Sequence, residues 1–258
     1  MLRVEPSKSY LGRLRALLAV NVLRMLSRLV PETLTFEGVR LRIPRGCFAP
    51  VFVSTELIYE AAVKLARGSV GCEVGTGPGS LALAVAKALS CEVVGTDVDE
   101  LCVRAGALNA ALNGLDALFH PVVCPEAKCL RSGAFDFALV NPPYFPLPRL
   151  QGIGLAACAG ENLETLKEML KDAVRVLRGG GLLIFTSSSL TGRVCGAKLL
   201  SRRWALLDSV LVHLYVKERG LAAARRPAGR AASSTLQVRR LLRERKKSNF
   251  KCPTRGAP

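Results

Sequence analysis

The sequence predicts an α/β fold built on a mostly parallel sheet, and three segments carry that prediction. Residues 70–79, VGCEVGTGPG, have the pattern of a strand that runs into a glycine turn, and an apolar helix is predicted directly after them. Residues 92–97, EVVGTD, predict a second strand that ends in Asp97. Residues 135–144, FDFALVNPPY, predict a third strand, whose apolar run stops at two prolines. Because strands alternate with helical stretches, the chain favours βαβ units and a parallel sheet.

A helix and a hairpin are predicted ahead of this sheet. Ser9 begins a helical pattern that Pro31 ends, and its apolar stripe, which we expect to pack on the core, consists of Leu11, Leu14, Leu18, Val22, Met25 and Leu29. Residues 33–43 form two alternating runs around Glu37-Gly38, which predicts a hairpin. Residues 46–56, GCFAPVFVSTE, lead into the next helix, which Ser54 or Thr55 can cap.

The positive charge lies at the two ends of the chain. The net charge is +17, of which residues 1–45 carry +6 and residues 217–258 carry +11, while the middle is neutral. We therefore divide the chain into a basic extension (1–45), a main domain (46–242, with a flexible basic loop at 219–234) and a basic, disordered tail (243–258). Basic arms on a neutral core suggest docking on a polyanion such as RNA. A solvated, solubilising tail explains the same charge equally well.

Composition also argues against several classes of protein. No apolar stretch reaches the ~18 residues that a spanning helix needs, so we expect no membrane partner and a cytoplasmic location. The nine cysteines form no CxxC pair and the two histidines are isolated, so no metal site is predicted. We expect the cysteines to be buried free thiols.

The glycine turn and Asp97 predict a nucleotide-like ligand. Gly75, Gly77 and Gly79 allow a ligand to approach the backbone closely, and the Asp97 carboxylate can accept hydrogen bonds from both hydroxyls of a ribose. Glu73, at the end of the first strand, can contact the ligand or only organise the turn. Dinucleotide-binding domains share this pattern, so the two strands alone leave the cofactor open.

The residues Asn141-Pro142-Pro143-Tyr144 form a rigid corner where open α/β sheets place their ligands. The Asn141 side-chain oxygen and the Pro142 carbonyl can accept two hydrogen bonds from a planar NH2 group, and the Tyr144 ring can lie on its plane. With this corner, the chain resembles class I S-adenosylmethionine-dependent methyltransferases, and within them the HemK-like group that N-methylates protein glutamine, together with its adenine-modifying relatives.

The resemblance, which covers about residues 36–216, implies a fold, a cofactor and a site. The fold is a Rossmann-like, mostly parallel seven-stranded sheet with helices on both faces, preceded by the helix and hairpin. S-adenosyl-L-methionine would be held by Glu73, Gly75, Thr76, Gly77, Gly79, Asp97 and Asn141. The substrate would be bound by Asn141, Pro142, Pro143, Tyr144 and Phe145, with catalysis assigned to Asn141, Pro142 and Tyr144.

Two parts of the chain are assigned more coarsely. A further strand is predicted over residues 119–124. Relatives often carry an acidic residue just after the corresponding strand, reaching the adenine of the cofactor, whereas here Cys124-Pro125 takes that place and Glu126 follows, so that contact is left unassigned. After the strand predicted at 182–188 we expect a helix over 191–203. The last two strands, 206–216 and 236–242, would then form an antiparallel pair.

Three functions follow in order of preference. The resemblance implies methylation of a glutamine side-chain amide in a peptide-chain release factor, with a small activator subunit as a possible partner. The basic arms and Phe145, which could stack on a base, favour methylation of adenine N6 in tRNA or rRNA instead. The third function is a non-catalytic, RNA-docking scaffold, which would have no use for Asn141 and Tyr144.

Overall fold

The computed structural model describes residues 2–7, 9–49, 53–148, 156–205 and 207–219. Its elements, in chain order, are β1 (Arg3–Pro6), α1 (Tyr10–Ser27), β2 (Thr33–Phe36), β3 (Val39–Arg42), α2 (Val53–Leu65), β4 (Val70–Val74), α3 (Ser80–Leu89), β5 (Glu92–Asp97), α4 (Glu100–Leu112), β6 (Phe119–Val123), β7 (Phe135–Val140), α5 (Glu164–Val176), β8 (Leu177–Ser188), β9 (Gly192–Cys195), β10 (Lys198–Ala205) and β11 (Asp208–Val216).

Seven strands form one sheet in the order β10-β11-β8-β7-β4-β5-β6. Strands β6, β5, β4, β7 and β8 are parallel, and β11 lies antiparallel to both β8 and β10. One core cluster packs α2, α3, α4 and the β2–β3 hairpin on one face, and a second packs α5 and β1 on the other. The predicted fold class is confirmed. The chain passes from β4 to β5 towards one edge of the sheet and from β7 to β8 towards the other edge. A ligand crevice is expected where the direction changes, at the carboxyl ends of β4 and β7.

The N-terminal helix and hairpin form as predicted, but the helix packs through another face. Glu37 and Gly38 both take positive φ, which closes the hairpin, and Ser9 caps α1 by accepting a bond from the Gly12 N–H at 3.2 Å. The buried positions are Ala16, Ala19 and Val20. Of the predicted stripe, Leu11, Leu14, Leu18, Met25 and Leu29 are exposed. The reason is that small residues let α1 approach the segment around Phe145 and Leu147, which larger side chains would prevent. Among the described residues, no helix combines the length and apolarity needed to cross a bilayer.

The predicted helix over 191–203 is wrong, because these residues form β9 and most of β10. Gly192 and Gly196 take φ of +122° and +85°, which interrupt any helix. Strand β9 pairs with β1, and β10 pairs with β11 from Lys198↔Leu214 to Ala205↔Asp208. Leu199 and Leu200 therefore lie on the edge strand of the sheet. Strand β11 matches the prediction for 206–216, but its outer partner is β10. The strand predicted at 236–242, the tail at 243–258 and nearly all of the loop at 219–234 lie outside the described residues.

The prediction that the cysteines are free thiols is wrong for four of them. Disulfides join Cys47 to Cys102 and Cys124 to Cys129, with Cα–Cα distances of 5.7 and 6.2 Å. Cys72, Cys91 and Cys158 are buried thiols, as predicted. The first disulfide links residues 55 positions apart, which only the tertiary fold brings together, so sequence spacing gave no signal for it.

Candidate active site

One cavity of about 290 Å³ lies at the carboxyl ends of β4, β5 and β7. It brings together nearly all of the predicted site residues, which are Glu73, Gly75, Thr76, Gly77, Asp97, Asn141, Pro142, Pro143, Tyr144 and Phe145. Gly79 does not line it. A Cβ at Gly79 would lie 2.7 Å from the Phe119 ring, and φ there is +81°, so this glycine permits helix–strand packing behind the cavity wall. The glycine turn and the Asn141 corner thus share one crevice.

The glycine turn uses its N–H groups internally. Gly75 N and Thr76 N donate to the Thr96 carbonyl at 2.8 and 2.9 Å, and Gly79 N donates to the Thr76 carbonyl at 3.0 Å. Gly77 N donates to Asp97 Oδ2 at 2.8 Å. A pyrophosphate would need such donors to be free, so the turn suits a ligand recognised by shape and by carboxylates. At Gly77, φ is +54° and no atom lies within 4 Å of a built Cβ, which leaves room for close approach.

Two carboxyl groups border the turn. Glu73 is buried, and its Oε2 accepts hydrogen bonds from Thr76 Oγ1 at 2.8 Å and Ala82 N at 3.0 Å. Burial raises the pKa of Glu73 to about 8, although these two bonds act in the other direction. Asp97 accepts from Gly77 N through Oδ2 and from Asp99 N at 3.0 Å through Oδ1. Its pKa is raised, mainly by burial. Glu73 therefore organises the turn and still lines the cavity, while Asp97 keeps lone pairs for a ligand hydroxyl.

The Asn141 side chain is held by three hydroxyl groups that sequence reasoning missed. Thr186 Oγ1 donates to Asn141 Oδ1 at 2.7 Å, and Asn141 Nδ2 lies 3.4 Å from both Ser54 Oγ and Thr55 Oγ1. Thr186 follows the β8 residue Phe185, which pairs with Val140 in β7, so the two side chains leave neighbouring strands side by side. Thr186, Ser54 and Thr55 are all buried. The Asn141 amide is therefore fixed from both sides.

Tyr144 is fixed as a neutral phenol beside Asn141. Burial, followed by the charge of Asp208, raises the pKa of Tyr144 well above its ordinary value, while a hydrogen bond with Ser54 opposes that shift. The Thr191 hydroxyl donates to the Tyr144 carbonyl at 2.9 Å. The Tyr144 and Phe145 rings meet edge to face, with centroids 5.1 Å apart. Phe145 is only 2% exposed, so it supports Tyr144 more than it presents a free stacking surface.

Comparison with known proteins finds similarity to several methyltransferases. The profile of the ribosomal protein L11 methyltransferase family matches residues 57–141. A candidate protein N5-glutamine methyltransferase of Methanocaldococcus jannaschii is 29% identical over 161 residues, which cover 60% of this chain and 79% of that protein. The release factor glutamine methyltransferase of Gloeobacter violaceus is 31% identical over 143 residues, half of each chain. The ribosomal protein L11 methyltransferase of Mesorhizobium japonicum is 37% identical over 123 residues, 45% of this chain and 42% of that protein. Over these segments the chain is similar to methyltransferases.

The chain spans only about half the length of these two bacterial relatives. Among solved structures, a candidate methyltransferase of Escherichia coli superposes with a TM-score of 0.51 at 17% identity, over 70% of this chain and 93% of that protein. At that identity the likeness concerns the fold.

The cavity of the chain fits S-adenosylmethionine by its polar lining. Ser80 Oγ and Thr165 Oγ1 are buried without a hydrogen-bond partner, and both residues line the cavity. Buried hydroxyls are normally satisfied, so a polar ligand is the partner expected here. Thr165 lies on α5, outside any motif, and sequence reasoning could not have found it. Glu126 also lines the cavity, with φ of +47° and its Oε2 2.7 Å from the Lys128 ammonium.

Proposed function

We propose that the chain methylates the side-chain amide nitrogen of a glutamine in a protein of the translation machinery, first of all a peptide-chain release factor. The observation that carries this proposal is the cavity itself, in which Asn141 and Pro142 face the same space as Gly77 and Asp97. The names of the relatives support it, because several of them are named glutamine methyltransferases.

Asn141 and Pro142 would prepare a poor nucleophile. The lone pair of an amide nitrogen is delocalised, and bound S-adenosylmethionine supplies an electrophilic methyl group. Accepting the two N–H bonds at Asn141 Oδ1 and the Pro142 carbonyl favours a pyramidal nitrogen and stabilises the positive charge that develops on it. Asn141 Oδ1 already accepts one bond from Thr186 and retains a second lone pair for the substrate.

The remaining residues of the site position the groups. Among the described residues that line the cavity there is no histidine, which agrees with a reaction that needs no strong base before methyl transfer. Tyr144, fixed by Ser54 and by the bond from Thr191 to its carbonyl, would hold the plane of the target amide. Holding two reactants in line contributes up to ~7–11 kcal/mol, which makes positioning the main contribution of this site.

Methylation of adenine N6 in RNA is the second candidate, and the charge of the chain favours it. The net charge of +17 would attract a polyanion, and adenine presents nearly the same NH2 face as glutamine. The other argument for adenine, stacking of a base on Phe145, is weakened, because the Phe145 ring is buried and packs against Tyr144. A small activator subunit and a cytoplasmic location also remain proposals.

The deciding experiment uses tritiated S-adenosylmethionine and separated cell protein, tRNA and rRNA fractions. We expect label in the protein fraction, released after digestion as N5-methylglutamine. Label released as N6-methyladenosine from either RNA fraction would overturn the proposal in favour of the second candidate. Because an activator subunit is one of the proposed partners, the assay is run with and without added cell extract.

A further inference from the structure

A second cavity, an apolar groove of about 470 Å³, opens beside the catalytic corner. Its walls come from α1, from the segment that follows α1, and from the turn between β10 and β11, with Ala19, Ala205 and Val210 among them. The small side chains of Ala19 and Ala205 leave the space open. Tyr144 and Phe145 line both this groove and the cofactor cavity, so the two spaces are separated by little more than one pair of rings.

The mostly apolar lining of the groove favours an apolar ligand group. No Lys or Arg is found among the described residues that line it, and the polar ones are Ser54, Tyr144 and Asp208. Ser54 is engaged with Asn141 and Tyr144, and Asp208 accepts a hydrogen bond from Ser188. Arg15, at the edge of the groove, already donates to the Leu207 carbonyl at 2.5 Å and lies near the Asp208 carboxyl group. A phosphate would therefore find no free cation among the lining residues and would meet a carboxyl group instead. An apolar side chain would bury its surface without leaving a polar group unpaired.

The position of the groove links it to the methylated residue. Asn141 lines the first cavity and Tyr144 lines both spaces, so a substrate whose target nitrogen is held at Asn141 lies next to the groove. An extended chain advances about 3.3 Å per residue, so a neighbour one or two positions away reaches across one aromatic ring. We infer that the groove binds a bulky apolar side chain of the protein substrate, one or two residues from the methylated glutamine. This inference rests on the proposed function.

The test measures peptide binding and peptide methylation separately. Fluorescent nonapeptides with a central glutamine carry Leu, Phe, Gly, Asp or Lys at each of the four nearest positions, and the full chain is used with S-adenosylhomocysteine for binding and tritiated S-adenosylmethionine for transfer. We expect Leu and Phe at one position to tighten binding at least about tenfold over Gly. The variant Ala205→Trp fills the groove and should remove this preference. Leu199→Trp, on the same strand but outside the groove, should keep it.

The possible outcomes test the role of the groove and the proposed reaction separately. Methylation of Leu and Gly peptides with equal affinity and rate, or an apolar preference unchanged in Ala205→Trp, overturns the groove and leaves the proposed function standing. An apolar binding preference without transfer supports the groove and counts against the proposed reaction. No peptide binding, together with label in RNA, overturns both. A dimer that Ala205→Trp dissociates would assign the groove to a second copy of the chain instead.

Discussion

Replacing Thr186 by valine should damage methyl transfer while leaving cofactor binding intact. The Thr186 hydroxyl donates to Asn141 Oδ1 at 2.7 Å, and it is the short bond on that side chain, since the contacts of Nδ2 with Ser54 and Thr55 are both 3.4 Å. Valine has the same shape as threonine and lacks the donor. Without it, the Asn141 amide can turn and present Nδ2 where the substrate needs an acceptor.

The size of the effect follows from the cost of the lost donor. Leaving a buried acceptor without its partner costs about 1–3 kcal/mol, and each ~1.4 kcal/mol of barrier is a factor of ten in rate. We therefore expect kcat to fall about 10- to 100-fold in Thr186→Val. The dissociation constant of S-adenosylmethionine should change by less than about twofold, because Thr186 lies on the substrate side of the corner and does not line the cofactor cavity.

Single-turnover transfer and calorimetric cofactor binding measure these two quantities. Thr186→Ser is the matched control, because it keeps the hydroxyl and loses only a methyl group, and it should retain most of kcat. If Thr186→Val transfers at the wild-type rate, the hydroxyl does not position Asn141. If valine and serine lower kcat equally, packing at this site matters and the hydrogen bond does not.

Three further predictions concern the cofactor, the catalytic corner and the pH dependence of stability. Asn141→Ala should abolish transfer in the tritium assay, while cofactor binding by calorimetry should weaken far less, since Asn141 is only one of several residues expected to hold the cofactor. The exposed Asn162→Ala should change neither, and equal loss of binding and transfer in Asn141→Ala would place Asn141 in the scaffold. Gly77→Ala should weaken cofactor binding about tenfold or more, because Gly77 lines the cavity and the new methyl group would occupy space there. Its φ of +54° also strains the backbone of the variant. Gly133→Ala is the control, because it has a similar φ of +70° but lies outside the cavity, and it should not lose cofactor affinity. Burial lowers the pKa of His213 to about 4. At this side chain the unfolded chain therefore binds the extra proton between about pH 6.5 and 4, so His213 contributes a loss of about 3 kcal/mol of stability as pH falls through that window. The raised pKa of Glu73 acts in the opposite direction, so the contribution of His213 is the difference between the wild type and His213→Phe. Urea denaturation at several pH values checks this, and a loss of the same size in His213→Phe would assign it to other groups.

The sheet was predictable because its signals are local. Each of the three decisive strands carries its own boundary, a glycine turn, an acidic end or a pair of prolines, within ten residues of sequence. Residues 191–203 show the opposite case. A helix is predicted there from the sequence, but the pairing of β10 with β11 and the positive φ at Gly192 and Gly196 make most of these residues strands. Tertiary pairing overrode local propensity there.

The residues of the site also fall into those with a local sequence signal and those placed only by tertiary contacts. Asp97 and Asn141 stand in motifs, so their place at strand ends could be predicted. Thr186 and Ser54 contact Asn141 across 45 and 87 positions of sequence, and a serine or threonine in an apolar run gives no sign of such a contact. The residues proposed to carry the chemistry could therefore be predicted from the sequence, while those that orient them could not.

Asn109 shows how the N-terminal extension is coupled to the cofactor cavity. An asparagine at this place could contact a ligand or act as a structural tie. Its Oδ1 accepts from Arg42 N at 2.8 Å, and its Nδ2 donates to the carbonyls of Arg42 and Pro78 at 3.1 and 3.0 Å, with the side chain fully buried. These bonds use its amide between the hairpin and the glycine turn, which favours the structural role. The Cys47–Cys102 disulfide joins the segment after the hairpin to α4, the helix that also carries Asn109. The hairpin and the segment after it are therefore each tied to α4, and because Cys47 and Cys102 line the cavity, a change in the extension should alter cofactor affinity before it alters the chemistry at Asn141.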